Sequence, residues 1–515
     1  MTTVAPSATT PNYTGALVNG EWAEARRGRT FDDLEPATGE RLAAVAACAP
    51  EDVNLAVAAA VRAFRTAPWA GINPTERGRV LYRIAQLVRE RSEEFARLEA
   101  ADVGKLLPDA RSEVELSASL LEYYAGAANK VLGETYQAGP GKLAYTLKEP
   151  LGVVAAIVPW NYPLPLAVLK VAPALAMGNT VVLKPAEEAP LTALLLGQVA
   201  LDAGLPPGAL NVVPGLGEEA GQALIEHRDV AMIAFTGSTE VGHKVMHAAA
   251  ERIAKFELEL GGKSPHLVFP DASLDDVTRD VAMGLFKNAG QDCCAGSRVL
   301  VHRDIFDEVT SRLKAVAEAQ KVGDPLRGEG VTMGPLISQR QRSRVHSYTA
   351  DALASGGSLV TGGREMVEGF PEGSTFYAPT LFTSVRPDMK IFQEEVFGPV
   401  GVIVAFRDEQ EAVQLANQVP YGLAAAVWTN DLSTAHRVAA HIQAGMVWVN
   451  EYYAHVMEMP FGGFKQSGIG KDYSLHALDA YCQAKEVTIR LGPPARVPGP
   501  TSGTASTSSP GPSTR

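Results

Sequence analysis

Apolar residues recur at helical spacing over 51–67, 74–102 and 113–129, each opposite a charged face, and predict three amphipathic helices early in the chain. Further on, short β-branched runs replace that pattern. A strand-like pair falls at about 142–149 and 152–158. The runs at 153–158, 180–184, 210–213 and 232–236 are apolar throughout, as strands buried on both faces of a parallel sheet are. Helical stretches separate them, so a doubly wound sheet is expected over roughly 150–260. A second α/β series follows, with strands at 266–269, 298–302, 400–406, 424–429 and 446–450 and helices at 274–288 and 305–321. The stretch 485–491 alternates as a last strand, and an edge strand there is a candidate for pairing with another subunit. Residues 1–12 and 493–515, dominated by Pro, Gly, Ser, Thr and Ala, are expected to be disordered tails.

Composition narrows the function classes without choosing one. The chain has 515 residues, 46% hydrophobic and 20% charged, enough for two or three domains around large cores. Its four cysteines (Cys48, Cys293, Cys294, Cys482) suggest no disulfide framework, and a reducing cytoplasm fits them. A formal charge of −12 argues against a nucleic-acid surface and is compatible with a cationic substrate. The first residues lack the basic and apolar regions of a signal peptide, and no apolar run reaches the ~20 residues of a membrane span.

Candidate chemistry centres on residues 286–298, where Cys293 and Cys294 are adjacent among the small residues Gly290, Ala295 and Gly296. A reactive thiol needs such an open loop and a proton acceptor; Glu259, where the two α/β series meet, is the strongest acceptor. The competing reading makes both cysteines small buried hydrophobes. Gly215-Leu-Gly217-Glu-Glu-Ala-Gly221 follows a strand but misses the dinucleotide fingerprint by one residue, which favours a tight turn. Ser238, in Phe-Thr-Gly-Ser-Thr-Glu-Val-Gly at 235–242, either helps hold a pyrophosphate at a helix start or simply caps that helix. Glu187, in Lys184-Pro-Ala-Glu187 at a strand end, suits ribose hydroxyls and so favours NAD over NADP; a solvated loop acid is the alternative. Asn161, after another strand, offers an amide donor for an oxyanion.

In their order, these pieces resemble the aldehyde dehydrogenase superfamily over about residues 13–491. The matching segments are Pro-Trp-Asn-Tyr-Pro at 159–163, Lys-Pro-Ala-Glu at 184–187, the 235–242 segment, Glu-Leu-Gly-Gly-Lys at 259–263, Gly-Gln-Asp-Cys at 290–293, Glu-Glu-Val-Phe-Gly-Pro at 394–399 and Pro-Phe-Gly-Gly at 460–463. The resemblance implies an α/β fold with a Rossmann-type NAD-binding domain (13–135 and 153–260), an α/β catalytic domain (261–477) and a small oligomerisation β-segment (136–152 and 478–492). It also implies a homotetramer or homodimer. By the same resemblance the nucleophile is Cys293, the base Glu259 and the oxyanion amide Asn161, with no metal. The implied NAD contacts are Trp160, Lys184, Glu187, Ser238, Glu395 and Phe397. Cys294 is left without a role, and Cys48 and Cys482 revert to structural residues.

Asp292, Tyr162, Tyr453 and Phe461 are the implied substrate-side residues. A carboxylate at 292 and aromatic faces suit an ammonium tail, and Gly-Gln-Asp-Cys together with 458–460 and 467–481 is similar to bacterial γ-aminobutyraldehyde dehydrogenases. Oxidation of 4-aminobutanal in putrescine degradation is the expectation. A solvated or ion-paired Asp292 is the alternative for that residue. Betaine aldehyde or another ω-aminoaldehyde stays open, and succinic semialdehyde is less favoured because no arginine accompanies these motifs. Two other classes were weighed: a cofactor-free thiol hydrolase using Cys293, Glu259 and Lys263, and a non-catalytic binding protein. The first leaves the Lys184, Glu187 and Ser238 segments without purpose. The second has no need of the thiol or the base.

Overall fold

Four apolar runs, with Lys255–Glu259 beside them, become neighbouring parallel strands in a computed structural model that describes residues 13–492 and Gly511. The expected tails lie outside the described residues, Gly511 apart. The strands, in spatial order, are Leu210–Val212, Thr180–Lys184, Val153–Ile157, Val230–Thr236 and Lys255–Glu259. Antiparallel neighbours close both sides: Ala16–Val18 pairs Leu17 with Val212, and Gly468–Ile469 pairs Gly468 with Glu259. Helices cover this sheet, so its strands are buried on both faces and need no polar alternation.

A second sheet of seven strands runs Ser358–Thr361, Thr380–Thr383, Val400–Phe406, Arg298–His302, Pro265–Val268, Ala424–Trp428 and Met446–Val449, parallel except at the first pair. Each sheet has its own core. Phe95, Leu121, Tyr124, Leu164 and Val168 pack beneath the first, and Phe382, Phe392, Val402 and Trp428 within the second. Each such side chain contributes about 1.5–3 kcal/mol by leaving water.

The polypeptide forms two units. Met1–Val131 with Pro150–Cys482 contains both large sheets. Leu132–Glu149 with Gln483–Arg515 is built on a three-stranded sheet whose strands, in spatial order, are Cys482–Arg490, Lys142–Pro150 and Thr135–Tyr136, with Lys485 Nζ 2.6 Å from Glu149 Oε1.

Three expectations need correction. The run 74–102 is two helices, Pro74–Glu90 and Ser92–Val103, broken at Arg91. Arg91 leaves helical geometry (φ −104°, ψ 21°) while Glu94 clasps its guanidinium at 2.8 Å. The buried positions Val88 and Phe95 on either side stay two turns apart, so periodicity passed through the break. The helix expected at 274–288 ends at Phe286, a difference that matters below. The early strands Ala16–Val18, Glu21–Ala23, Thr30–Leu34 and Arg41–Ala46 went unread because they are short and half polar.

Candidate active site

The thiol loop begins with an unusual backbone. After helix Leu274–Phe286, Asn288, Ala289 and Gly290 are successively left-handed, with φ of 49°, 53° and 70°. Only glycine is at ease there, so neighbouring contacts have to hold the other two. Asn288 Nδ2 donates to the carbonyls of Asn161 (3.1 Å) and Gln291 (3.2 Å). Gln291, fully buried, donates back to the Asn288 carbonyl at 3.0 Å and accepts from the Ile337 N–H at 2.8 Å. A side chain at Gly290 would overlap the Gly398 carbonyl. This scaffold leaves Cys293 half-buried and Cys294 buried.

Asp292 is buried and engaged. Its Oδ2 accepts from the Tyr162 hydroxyl at 2.5 Å and its Oδ1 from the Cys294 N–H at 2.6 Å. The hydrogen bond between the two thiols favours ionisation of Cys293, but burial and the charges of Asp292, Glu395 and Glu259 outweigh it and raise that thiol. Cys294 is pushed up further, first by the same hydrogen bond and then by burial. The two adjacent cysteines are therefore unlike, and Cys293 is the one better able to ionise.

Glu259 ends its strand, and both its carboxylate oxygens are buried without a partner. Desolvation, followed by the Asp472 charge, raises it well above the usual carboxylate range. A side chain at Gly462 would overlap Glu259 Oε1, which explains the Pro-Phe-Gly-Gly glycine on steric grounds. Behind this residue lies a buried cluster that sequence reasoning missed. Lys170 Nζ stands 2.7 Å from Asp472 Oδ2 and 3.5 Å from Glu257 Oε1, and burial lifts Glu257 to about 8. The sequence signal was a lone lysine in Pro163–Ala176, a helix otherwise apolar all round.

Asn161 joins the same frame. Its Nδ2 donates to the Gln291 carbonyl at 3.2 Å, and its own carbonyl accepts from Lys105 Nζ at 2.9 Å as well as from Asn288. The amide thus stands against the thiol loop with its second N–H uncommitted.

Of the expected cofactor residues, Trp160, Lys184, Glu187 and Ser238 lie at or just past the carboxyl ends of parallel strands. Lys184 Nζ meets Glu187 Oε2 at 3.0 Å. Burial raises Glu187, but Lys184 and backbone donors outweigh it and keep the carboxylate ionised. The turn Gly217–Gly221 presents bare backbone toward this pair: a Cβ at Gly217 would come within 3.9 Å of Glu187 Oε1, and one at Gly221 within 4.0 Å of the Lys184 side chain. Ser238 caps helix Thr239–Ala250, accepting from the Val241 N–H at 3.3 Å, so the capping reading is realised. At the other end the rings of Trp160 and Phe397 meet edge to face at 5.2 Å. Glu395 accepts from the Gly262 N–H at 2.9 Å, and burial pushes it up to about 7. An ionised carboxylate beside uncovered backbone at a strand end is the donor and acceptor set that an adenosine ribose with an unmodified 2′-hydroxyl fits.

The aldehyde dehydrogenase family model matches residues 22–487. The chain belongs to that family. It is 45% identical to an aldehyde dehydrogenase family 2 member B4 of Arabidopsis thaliana, over 94% of this chain and 89% of that protein. It is 44% identical to a phenylacetaldehyde dehydrogenase of Pseudomonas fluorescens, over 92% and 95%. Among solved structures it superimposes on the NAD+ complex of a Bacillus cereus aldehyde dehydrogenase with a TM-score of 0.91 and 41% identity, covering 93% of this chain and 97% of that one. It also superimposes on an NAD+ complex of Staphylococcus aureus betaine aldehyde dehydrogenase with a TM-score of 0.92 and 36% identity, covering 94% and 96%. The enzyme is therefore an NAD-dependent aldehyde dehydrogenase with this family's α/β fold.

Of the residues expected on the substrate side of this aldehyde dehydrogenase, Tyr453 and Phe461 belong to one aromatic cluster. Tyr453 lies 4.8 Å from Tyr452 and 6.1 Å from His455, and Phe461 lies 5.6 Å from both His455 and Tyr473. Tyr162 carries the Lys105 ammonium 4.1 Å above its ring. One residue here escaped sequence reasoning, which had placed it inside a helix. Lys287, just past the end of Leu274–Phe286, holds its ammonium 5.7 Å above the Tyr453 ring. No described helix is long and apolar enough to cross a membrane.

Proposed function

We propose that the enzyme oxidises aldehydes through a covalent adduct on Cys293 and releases the acid to water. The Cys293 thiolate attacks the aldehyde carbonyl, and the oxyanion of the resulting thiohemiacetal accepts from the Asn161 side chain and the Cys293 N–H. Trp160, Lys184, Glu187, Ser238, Glu395 and Phe397 would hold NAD, which when bound would supply the hydride acceptor that lets the adduct collapse to a thioester. Glu259 then takes a proton from the water that hydrolyses this thioester. A buried carboxylate with both oxygens unpartnered supports that role, because its raised proton affinity suits a base at neutral pH.

For the aldehyde, one observation carries the choice. The carboxylate and the π face that an ammonium tail needs are both engaged, Asp292 by Tyr162 and Cys294, and Tyr453 by Lys287. This supports an aromatic tail that carries no ammonium, packed among Tyr453, Phe461 and Tyr162, in keeping with the phenylacetaldehyde relative. The second reading is oxidation of 4-aminobutanal or betaine aldehyde, favoured by the buried carboxylate of Asp292 beside the nucleophile and by the betaine aldehyde relative. Steady-state NADH formation with phenylacetaldehyde, 4-aminobutanal and betaine aldehyde separates them. We expect kcat/KM for phenylacetaldehyde to lead by about ten-fold or more; a lead for 4-aminobutanal, with Asp292→Asn raising its KM alone, would return the second reading.

The division into NAD-binding, catalytic and oligomerisation segments, a dimer or tetramer joined through the edge strand Cys482–Arg490, and a cytoplasmic location belong to the same proposal. The outer position of that strand in its sheet and four cysteines that form no disulfide among the described residues support them.

A further inference from the structure

We propose that Lys287 selects the tail of the aldehyde: its ammonium holds a carboxylate or phenolic oxygen at the far side of an aromatic substrate and repels an ammonium tail. This deepens the aromatic-tail reading above and rests on it.

Position is the first argument. Lys287 opens the left-handed turn that ends in the nucleophile loop, so its backbone is tied to Cys293 through five residues whose geometry is fixed by Asn288 and Gln291. Its side chain is half-buried and lies over Tyr453, whose own hydroxyl is buried without a partner. Tyr453 packs against Tyr452 at 4.8 Å, and the Tyr452 hydroxyl donates to the Cys294 carbonyl at 2.5 Å, which sets Lys287 and the thiol loop on one aromatic surface.

Charge is the second argument. Every other cation named around this surface is engaged, and so are the carboxylates Asp292 and Asp472. Lys105 pairs with Glu113 and Glu99, Lys471 donates to the carbonyls of Gly462 and Gly463, and Asp472 holds Lys170. Asp292 accepts from Tyr162 and Cys294. The His455 imidazole is held neutral, by desolvation first, with Lys287 adding to that and Asp292 opposing it. Lys287 alone has neither a hydrogen bond nor an ion pair among the described residues. A half-desolvated ammonium with unused donors is a recognition element for an acceptor, since the ring face beneath it satisfies its charge only in part. The same charge disfavours a second cation on that surface, because like charges near a low-dielectric wall repel strongly.

The test compares wild type with Lys287→Met and Lys287→Glu on benzaldehyde, 4-carboxybenzaldehyde and 4-aminobutanal, with NAD affinity measured by fluorescence titration as a check on folding. We expect Lys287→Met to raise KM for 4-carboxybenzaldehyde about ten-fold or more while kcat for it and both constants for benzaldehyde stay within about two-fold. Lys287→Glu should lower KM for 4-aminobutanal, and the carboxylate advantage of the wild type should shrink as salt is added. Equal changes for all three substrates, or a wild type indifferent to the carboxylate, would overturn the role of Lys287. Failure to oxidise any aromatic aldehyde, with 4-aminobutanal turned over, is a different result and would remove the aromatic-tail reading itself.

Discussion

Cys293 and Glu259 both hold protons more tightly than their side-chain types do in water, which in the proposed mechanism would set the pH dependence. Attack needs the thiolate and deacylation needs the carboxylate, so the rate should climb with pH over a range above the ordinary pKa of a carboxylate. Asp292 is one of the charges that raise Cys293. Removing it in Asp292→Asn therefore lowers the thiol pKa, and the rising limb of kcat/KM for a neutral aldehyde should move to lower pH; an unmoved limb would show that Asp292 has no electrostatic hold on the thiol. Cys293→Ala should abolish oxidation. Glu259→Gln should instead slow turnover by about 10²–10⁴ while a thioester accumulates, visible as a covalent mass shift on the protein.

At the scale of elements, some features were legible in sequence and others were not, for physical reasons. Strands Thr180–Lys184, Arg298–His302 and Val400–Phe406 coincide with their apolar runs because burial on both faces writes itself into consecutive residues. The thiol and the base were legible because glycines mark where backbone crowds a side chain, as Gly462 does at Glu259. The buried Lys170 cluster was not, since Lys170 and Asp472 are 302 positions apart and only the fold makes them neighbours. Lys287 was hidden by a helix pattern that ran two residues too far. Lys170→Met isolates what the cluster contributes. Without the ammonium, Glu257 remains buried only by taking up a proton, so the variant should lose about 3–5 kcal/mol in urea unfolding, and more at pH 9 than at pH 6. A loss independent of pH would mean that the lysine acts through packing alone.

Over the whole molecule, the cofactor couples to stability. NAD at about 100 times its dissociation constant should stabilise the fold by about 2.7 kcal/mol, readable as a rise in Tm. NADP should raise Tm far less, because the ionised Glu187 repels a 2′-phosphate; equal shifts would remove Glu187 from the ribose site. The edge strand Gly468–Ile469 leads to one last consequence. It pairs directly with the residue proposed as base, and Asp472 just beyond it pairs with Lys170. On the ribosome, Glu259 and Cys293 emerge long before either partner exists. At about 5–20 residues per second the chain carries its thiol unfinished for roughly ten seconds or more. In the proposed mechanism the first turnover waits on Gly468 to Asp472, so an arrested chain short of that strand should be catalytically silent however well the rest of its first sheet has folded.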